Sequence, residues 1–444
     1  MTDLEKPLMV QEDLKDEDNL VHPKEEERSF WDRALSAPSQ GSLRLTCLFL
    51  VSSATGAGFL SMPSATMNSG LGGGIILFIL SISLCYYGLN RIFMISKKLD
   101  MDDYSDLARW YGGKPMEIIF QLVVVLALVG VLMVHDVTAT EMLATFAKDM
   151  NLLETAPNMK NPFDPFRVWC LIIVNFLQFL ATLTGKEATS LRYFAAVSLV
   201  CFSYTIIVVV AQSPTLIDYY WDNSKFEWFK IDWSFTGNLG VFLFSFAMGG
   251  NPMPAKAHLY NPTKKRLRKV ARYSAWTPAL FYIPYTILGY LSFLDATPDV
   301  IIDREPVPVL ATWPIQVTRV TMAIVLCSAN VSLFVAVRIC FENFIEMIRE
   351  TEITKTMEFF INLSLFIVIT FVSIVMNQVV TNIELVGALL QNFISWIFPT
   401  LLYLKLTKKS MGHPKVLAHL ILLGFLILVA VITTYNSISK YLNP

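Results

Sequence analysis

Two short glycine-containing segments interrupt long apolar stretches of this sequence. The first is Gly56-Ala57-Gly58, and the second is Gly249-Gly250-Asn251-Pro252. Glycine weakens a helix, and proline removes an amide donor and displaces the preceding turn. We therefore expect each apolar stretch to form a helix that is broken near its middle, where backbone N–H and C=O groups are free to bind a small polar ligand.

Free backbone groups at such breaks can hold an anionic and a cationic group without charged side chains. The N–H groups near Gly58 to Leu60 would face an anion at the positive end of a half-helix. Carbonyl groups freed at Ser53 to Thr55 and at Ala247 to Gly249 could accept hydrogen bonds from an ammonium group. Neither break contains an acidic or basic residue, and charged side chains are costly near the bilayer centre. This pattern favours a ligand without net charge.

The sequence contains none of the patterns that would indicate an enzyme. No nucleophile–base pair, HExxH motif, P-loop or Cys/His cluster appears. All 6 cysteines fall within apolar stretches, and their spacing matches no metal site. We therefore expect neither a catalytic site nor a bound metal or cofactor.

The composition is typical of a protein with many membrane-spanning segments. Apolar residues make up 54% of the 444 residues and charged residues 16%, whereas globular chains have roughly 45–50% and about 25%. A soluble fold has too small a core for this much apolar surface. With 35 basic and 36 acidic residues, the chain has no basic excess to bind nucleic acid. The expected surroundings are a lipid bilayer, and the oligomeric state stays open.

Eleven apolar stretches are long enough to cross a bilayer, which requires about 20 residues each. They lie near residues 43–68, 71–95, 116–146, 166–184, 190–213, 236–260, 271–294, 315–342, 356–376, 382–404 and 415–439. The two breaks fall in the first and sixth of these spans, at matching positions of two five-helix halves. Such paired interruptions are typical of transporters whose binding site lies between inverted repeats. The predicted fold is all-α, with two five-helix inverted repeats, discontinuous spans 1 and 6, and one extra C-terminal helix.

The distribution of basic residues predicts the orientation of the chain. If the N-terminus is cytosolic, 25 Lys and Arg residues fall on the cytosolic side, 7 on the opposite side and the remaining 3 within spans. Positive residues are enriched in cytosolic loops, so we expect a cytosolic N-terminus and a C-terminus on the other side. Residues 1–42 form a predicted disordered, acidic cytosolic tail, and residues 43–444 form one transmembrane transporter domain. The plasma membrane and a vacuolar or lysosomal membrane are both compatible locations.

Several short motifs occur in an order and spacing that resemble one known family. They are Gly56-Ala57-Gly58-Phe59-Leu60 with Ala65 and Asn68-Ser69-Gly70, Tyr104-Ser-Asp-Leu107, Phe244-Ser-Phe246 with Pro254, Leu259 and Pro262, Gly289-Tyr-Leu-Ser-Phe293, Arg319 with Arg338, and Phe398-Pro-Thr-Leu-Leu-Tyr-Leu-Lys405. From about Leu43 to the last span, the sequence resembles the amino acid/auxin permease family. It is most similar to the sodium-coupled neutral amino acid transporters of that family.

The resemblance implies secondary transport of a neutral amino acid by alternating access. Together with the two breaks, it predicts a substrate site formed by Ser53, Thr55, Gly56, Ala57, Gly58, Phe59, Ala247, Met248, Gly249, Gly250 and Asn251. An interpretation from a different class is an amino acid sensor or a structural membrane subunit that retains the transporter fold.

The coupling ion is where the sequence departs from the family. Sodium-coupled relatives have an asparagine in helix 1 and a threonine in helix 8 at the ion site, and this sequence has Ser52 and Ala329 there. Fewer hard oxygen ligands weaken a sodium site. Candidate residues for a shifted ion site are Ser52, Ser328 and Asn330. We hypothesise that coupling to H⁺, or facilitated exchange, replaces coupling to Na⁺.

A few ionisable residues lie within or beside the spans. His135, Asp136 and Glu141 would be candidates for a proton relay if they were buried. Because the third span is longer than a bilayer requires, we expect them instead at a solvated helix end.

Two further ionisable positions have simple expected roles. Lys256, together with His258, is expected to reach the membrane interface rather than the substrate. Glu384, at the start of the tenth span, is expected either to act in a gate or to stabilise the N-terminus of that helix. The aromatic-rich loop at residues 218–233 is expected to form an interfacial cap.

Overall fold

The computed structural model describes residues 41–152, 158–159, 161–183, 191–221, 225–230, 235–305, 307–349, 353–407 and 410–442. Every regular element in these ranges is helical. The predicted disordered tail lies outside the described residues, except for Gly41 and Ser42.

The helices follow one another along the chain as α1 to α14. Their bounds are α1 Leu43–Ala54, α2 Met62–Met67, α3 Gly70–Leu99, α4 Tyr104–Asp149, α5 Pro165–Leu183, α6 Leu191–Tyr220, α7 Phe235–Phe246, α8 Pro252–His258, α9 Lys264–Phe293, α10 Trp313–Arg349, α11 Lys355–Val375, α12 Val379–Leu385, α13 Phe398–Leu406 and α14 Pro414–Leu442. Short 3-10 turns lie at Ala57–Ser61, Leu294–Ala296 and Ile301–Asp303. Two π-helical segments, Val386–Gln391 and Phe393–Ile397, join α12 to α13.

The apolar helices coincide with the predicted spans. Within the described residues, eight helices are long and apolar enough to cross a membrane, and the bent pair Leu43–Ala54 and Ala57–Met67 brings the number to nine. Two shorter apolar helices, Pro165–Leu180 and Phe235–Phe246, lie at the predicted fourth and sixth spans. The all-helical, multi-span architecture is confirmed, and the number of eleven crossings stays a prediction.

Helix α4 begins well before the third predicted span and is kinked. Its backbone leaves helical geometry at Gly112 and Gly113, and Gly113 has a positive φ of 71°. Arg109 and Glu117 form an ion pair of 2.7 Å across the kink. The short first arm therefore changes direction before the long apolar part of α4 begins.

Helix α7 lies directly on the π-helical segment of span 10 because glycines remove the intervening side chains. A Cβ atom added at Gly387 would lie 2.1 Å from the carbonyl oxygen of Gly240, and one at Gly240 would lie 2.6 Å from the carbonyl oxygen of Glu384. Small residues allow this close approach of backbones in membrane proteins. The approach holds the first half of span 6 against span 10.

We predict that Gly387→Ala destabilises the protein by about 1–3 kcal/mol, because its Cβ would overlap the backbone of α7. Gly424→Ala in α14 is the matched control, since a Cβ there meets no atom within 4 Å. Thermal unfolding of the detergent-purified variants measures the difference. Equal melting temperatures for the two variants would contradict the close backbone contact.

Candidate functional site

The first span is interrupted between α1 and α2. Helix α1 ends at Ala54, and Gly56 is extended, with φ −134° and ψ −157°. A 3-10 turn then runs from Ala57 to Ser61, and the two halves of the span are bent by 54°. No side chain caps the start of the 3-10 turn, so its first amide groups point out of the end of the half-helix.

The sixth span is interrupted between α7 and α8. Helix α7 ends at Phe246, and α8 begins at Pro252, where a proline fits the first turn of a helix. Gly249 lies between them with φ +49°, a left-handed conformation that favours glycine. Gly250 has open space where a side chain would be, since an added Cβ meets no atom within 4 Å.

The two interruptions lie against each other. A Cβ added at Gly58 would lie 2.5 Å from Phe244 Cδ1 and 2.7 Å from Ser245 Oγ, both in the last turn of α7. The start of the second half of span 1 therefore contacts the end of the first half of span 6. Only glycine at position 58 permits this contact.

The structure places the predicted substrate residues in one region, with different exposures. Ala57, Gly58, Phe59, Ala247 and Met248 are buried, Thr55, Gly56, Gly249, Gly250 and Asn251 are half-buried, and Ser53 is exposed.

Some of the expected ligand contacts are already used by the protein. The carbonyl of Ala54 accepts a hydrogen bond of 3.1 Å from the Tyr282 hydroxyl. The carbonyl of Met248 accepts one of 3.1 Å from the backbone N–H of Asn251. The Phe59 ring packs within an aromatic cluster, with its centroid 4.7 Å from that of Phe202. These contacts stabilise the backbone conformation at the two breaks. Because the Phe59 side chain packs in the aromatic cluster, Phe59 can offer a ligand only its backbone groups.

His135 contacts the break in span 1 directly. A Cβ added at Gly56 would lie 2.7 Å from His135 Nε2. His135 is 5% exposed and Asp136 is fully buried, so the prediction of a solvated helix end is wrong. Helices α5 and α10 cover this part of α4, and their presence could not be inferred from the length of the third span alone.

A network of amide side chains surrounds His135 and Asp136. Asn330 Oδ1 lies 2.9 Å from His135 Nδ1, and Asn330 Nδ2 donates to Asp136 Oδ1 at 2.7 Å and to the Leu132 carbonyl at 3.2 Å. Gln178 Nε2 donates to the same Asp136 oxygen at 2.9 Å. Because the amide nitrogen of Asn330 is used by these two acceptors, its oxygen faces His135. This pattern assigns the proton to His135 Nδ1 and leaves Nε2 as an acceptor beside Gly56.

The three candidate ion-site residues do not form one hydrogen-bonded group. The Ser52 hydroxyl donates to the Phe49 carbonyl at 2.9 Å, and the Ser328 hydroxyl donates to the Ile324 carbonyl at 2.7 Å. Each serine is thus bonded within its own helix. Asn330 alone belongs to the buried network at the break.

Lys256 forms an ion pair with the turn between α3 and α4. Its side chain is buried, and its Nζ lies 2.5 Å from the Asp102 carboxylate and 2.6 Å from the Ser96 hydroxyl. Its partner Asp102, in the turn between α3 and α4, is 64% exposed, and the expectation that Lys256 reaches the membrane interface stays a prediction. His258, at the end of α8, is exposed.

Glu384 does not lie at the N-terminus of its own helix. Helix α12 starts at Val379, and Glu384 is buried one turn later, 2.8 Å from Lys440 of α14. Its carboxylate also occupies the space beside Gly237, where an added Cβ would be 2.9 Å from either carboxylate oxygen. The partner lysine lies 56 residues away in the chain, so no local sequence pattern indicates this ion pair.

The buried side chain of Arg319 stabilises the connection between α9 and α10. Arg319 is fully buried and donates to the carbonyls of Ile302 at 2.8 Å and Arg304 at 2.6 Å, and to the Asp149 carboxylate. Burial raises the pKa of Asp303 in this connection to about 7, although the Arg319 charge acts in the opposite direction. In the sequence, Arg319 is one of the motif residues that resemble the family, and its acidic partner is 170 residues away in the chain.

The described part of the aromatic-rich loop pairs with the junction of α2 and α3. The Leu71 and Gly72 amides donate to the carbonyls of Glu227 at 3.0 Å and Trp228 at 2.8 Å, and the Lys230 amide donates to the Ser69 carbonyl at 2.9 Å. The loop therefore covers the end of the second half of span 1, in agreement with a cap.

Comparison with known proteins identifies the class. The first match among solved structures is MhsT in complex with L-phenylalanine, with a TM-score of 0.57 and 15% identity over 89% of this chain and 100% of that chain. A manganese transporter of Eremococcus coleocola matches with a TM-score of 0.52 and 13% identity, over 92% of this chain and 94% of that chain. A Na⁺-coupled sialic acid symporter matches with a TM-score of 0.54 and 12% identity, over 84% of this chain and 80% of that chain. The fold is that of the five-plus-five inverted-repeat transporters.

Sequence comparison identifies the family. Residues 39–439 match the model of the family described as transmembrane amino acid transporter protein, and the chain belongs to this family. Proteins provisionally named amino acid transporter AAT1 are 26% identical to it in Toxoplasma gondii, over 60% of this chain and 36% of that protein, and in Plasmodium falciparum, over 65% and 45%. The match spans less than half the length of these relatives.

We predict that Asn330→Ala destabilises the protein by about 1–3 kcal/mol, because buried His135 and Asp136 lose hydrogen-bond partners. Ser328→Ala on the same helix is the matched control, since its hydroxyl bonds only the adjacent turn. Thermal unfolding in detergent compares the two. A loss for Ser328→Ala as large as that for Asn330→Ala would refute a special role for the network.

Proposed function

We propose that this protein is a secondary transporter of neutral amino acids that works by alternating access. The observation that carries the proposal is the contact of Gly58 with Phe244 and Ser245, which brings the two broken spans together. Membership of an amino acid transporter family supports the substrate class. We further propose that the N-terminus is cytosolic, as the asymmetry of basic residues favours; protease accessibility of the tail in sealed vesicles would check this.

The substrate's charged groups would be bound by the breaks. The uncapped start of the Ala57–Ser61 turn presents amide donors and the positive end of a helix dipole to the carboxylate. His135 Nε2 is an acceptor for the ammonium group beside Gly56. A neutral side chain fits a site in which no charged residue belongs to either break.

We propose that transport is coupled to protons, through Asp136 and His135, rather than to sodium. Asp136 is fully buried and forms no ion pair in the described part of the chain, and two amide donors hold its carboxyl group. The titratable groups that interact with it electrostatically are the thiols of Cys170 on α5 and Cys327 on α10. A carboxyl group held by neutral partners can gain and lose a proton while its neighbours stay in place.

Gly56→Leu is expected to reduce neutral amino acid uptake into proteoliposomes to background. The new side chain would overlap His135, since even a Cβ at this position lies 2.7 Å from Nε2. Gly424→Leu is the matched control, because it introduces the same side chain into open space. Full uptake by Gly56→Leu would refute the proposed site. Wild-type protein that binds an amino acid but moves none would instead indicate a sensor.

Asp136→Asn is expected to abolish the dependence of uptake on pH, because an amide cannot carry the proton. We expect wild-type uptake to rise when the side from which substrate enters is acidified, and to stay unchanged when choline replaces sodium. Radiolabelled uptake with a pH gradient, with and without sodium, measures both effects. A steep sodium dependence, or a pH dependence that survives in Asp136→Asn, would overturn proton coupling at this residue.

A further inference from the structure

The break in span 6 faces a glutamine on span 10. A Cβ added at Gly249 would lie 3.4 Å from Gln391 Oε1 and 3.8 Å from Gln391 Nε2. Next to Gly249, Gly250 has open space at the position of a side chain. The Gln391 amide is therefore the polar side chain nearest to Gly249. It lies where Gly249 and Gly250, which have no side chains, leave space.

The Gln391 side chain is buried without a partner for its oxygen. The residue is 7% exposed, and no described group donates a hydrogen bond to Oε1. A buried polar atom left unpaired is destabilising, and most such atoms in proteins are paired. An unpaired acceptor that faces a break in a helix therefore indicates a position where a ligand supplies the donor.

Two neighbouring side chains on span 10 share this property. The Ser395 hydroxyl and the Trp396 indole N–H are also buried and have no hydrogen-bond partner among the described residues. Gln391 ends one π-helical segment, and Ser395 and Trp396 belong to the next. Wider helical turns of this kind occur often at functional sites. Together the three side chains offer an acceptor, a donor and a hydroxyl group that can be either.

A small cavity lies between the break and two of these side chains, Ser395 and Trp396, and it borders Gly249, which Gln391 faces. It measures about 20 Å³, and its lining includes Met248 and Gly249 from the break and Ser395 and Trp396 from span 10. This volume holds roughly one water molecule. The space suits a polar group of that size, such as a hydroxyl.

We propose that Gln391 selects neutral amino acids whose side chains carry a hydrogen-bond donor, by accepting that bond at Oε1. The inference rests on the proposed transport function and adds a substrate class to it. Ser395 and Trp396 line the neighbouring cavity at Gly249 and offer further polar groups, since a hydroxyl or carboxamide group both donates and accepts hydrogen bonds. A purely apolar side chain of the same shape would leave the Gln391 oxygen unpaired.

Threonine and valine form the sharpest pair of test substrates, since they differ by a hydroxyl in place of a methyl group. A site that bonds a substrate hydroxyl disfavours the analogue that lacks it. We expect wild-type protein in proteoliposomes to prefer threonine over valine by roughly ten-fold in uptake at low substrate concentration. This ratio needs no variant, and a wild-type protein that takes up valine as well as threonine overturns the proposal.

Gln391→Met keeps the length of the side chain and removes the amide. We expect it to lower threonine uptake roughly ten-fold while valine uptake stays within about two-fold of wild type, so that the preference disappears. Valine uptake thus reports that the variant is folded and active. The matched control is Gln121→Met on α4, whose amide donates to Ser105 at 2.9 Å, and it should leave the preference unchanged.

The outcomes separate this inference from the proposed function. A preference that survives in Gln391→Met, or equal losses for threonine and valine, overturns the role of Gln391 while amino acid transport stands. Absence of uptake of either amino acid, and of any other neutral amino acid, by wild-type protein overturns the proposed function itself and this inference with it.

Discussion

The constraint on which this structure depends is that peptide groups inside a membrane must find hydrogen-bond partners within the protein. The simplest solution is a continuous helix, and two spans of this protein depart from it because they are interrupted near their middle. The protein satisfies part of the break in span 1 through Tyr282, which donates to Ala54, and supports it with the Phe59 aromatic cluster. The groups that remain at the breaks are those that we propose bind a zwitterionic substrate.

Glycine makes this arrangement possible by removing side chains where backbones meet. Gly58 brings span 1 against α7, and Gly240 and Gly387 bring α7 against span 10. Span 1, α7 and span 10 therefore surround the proposed site. The proposed sites for the substrate's charged groups and for its side chain lie on neighbouring faces of this tightly packed junction.

Charged and polar groups around this junction have two kinds of partner. Next to the break in span 1, His135 and Asp136 are held by neutral amides, without an ion pair in the described residues. Fixed ion pairs occur elsewhere, as in Lys256 with Asp102 and Arg319 with Asp149. Ion pairs tie segments together, whereas a carboxyl group with neutral partners can change its charge, as proton coupling requires.

The sequence by itself determined the membrane class, the positions of the apolar helices, the two interruptions and the family, because hydrophobic run length and glycine–proline chemistry are local properties. The tertiary structure alone decided that His135 and Asp136 are buried, that Lys256 and Glu384 have ionic partners, and that Gln391 faces Gly249. Asn330 lies 195 residues from His135, and such contacts depend on which helices pack together. The burial and pairing of side chains depend on that packing, and the sequence pattern of a single span does not indicate which helices lie beside it.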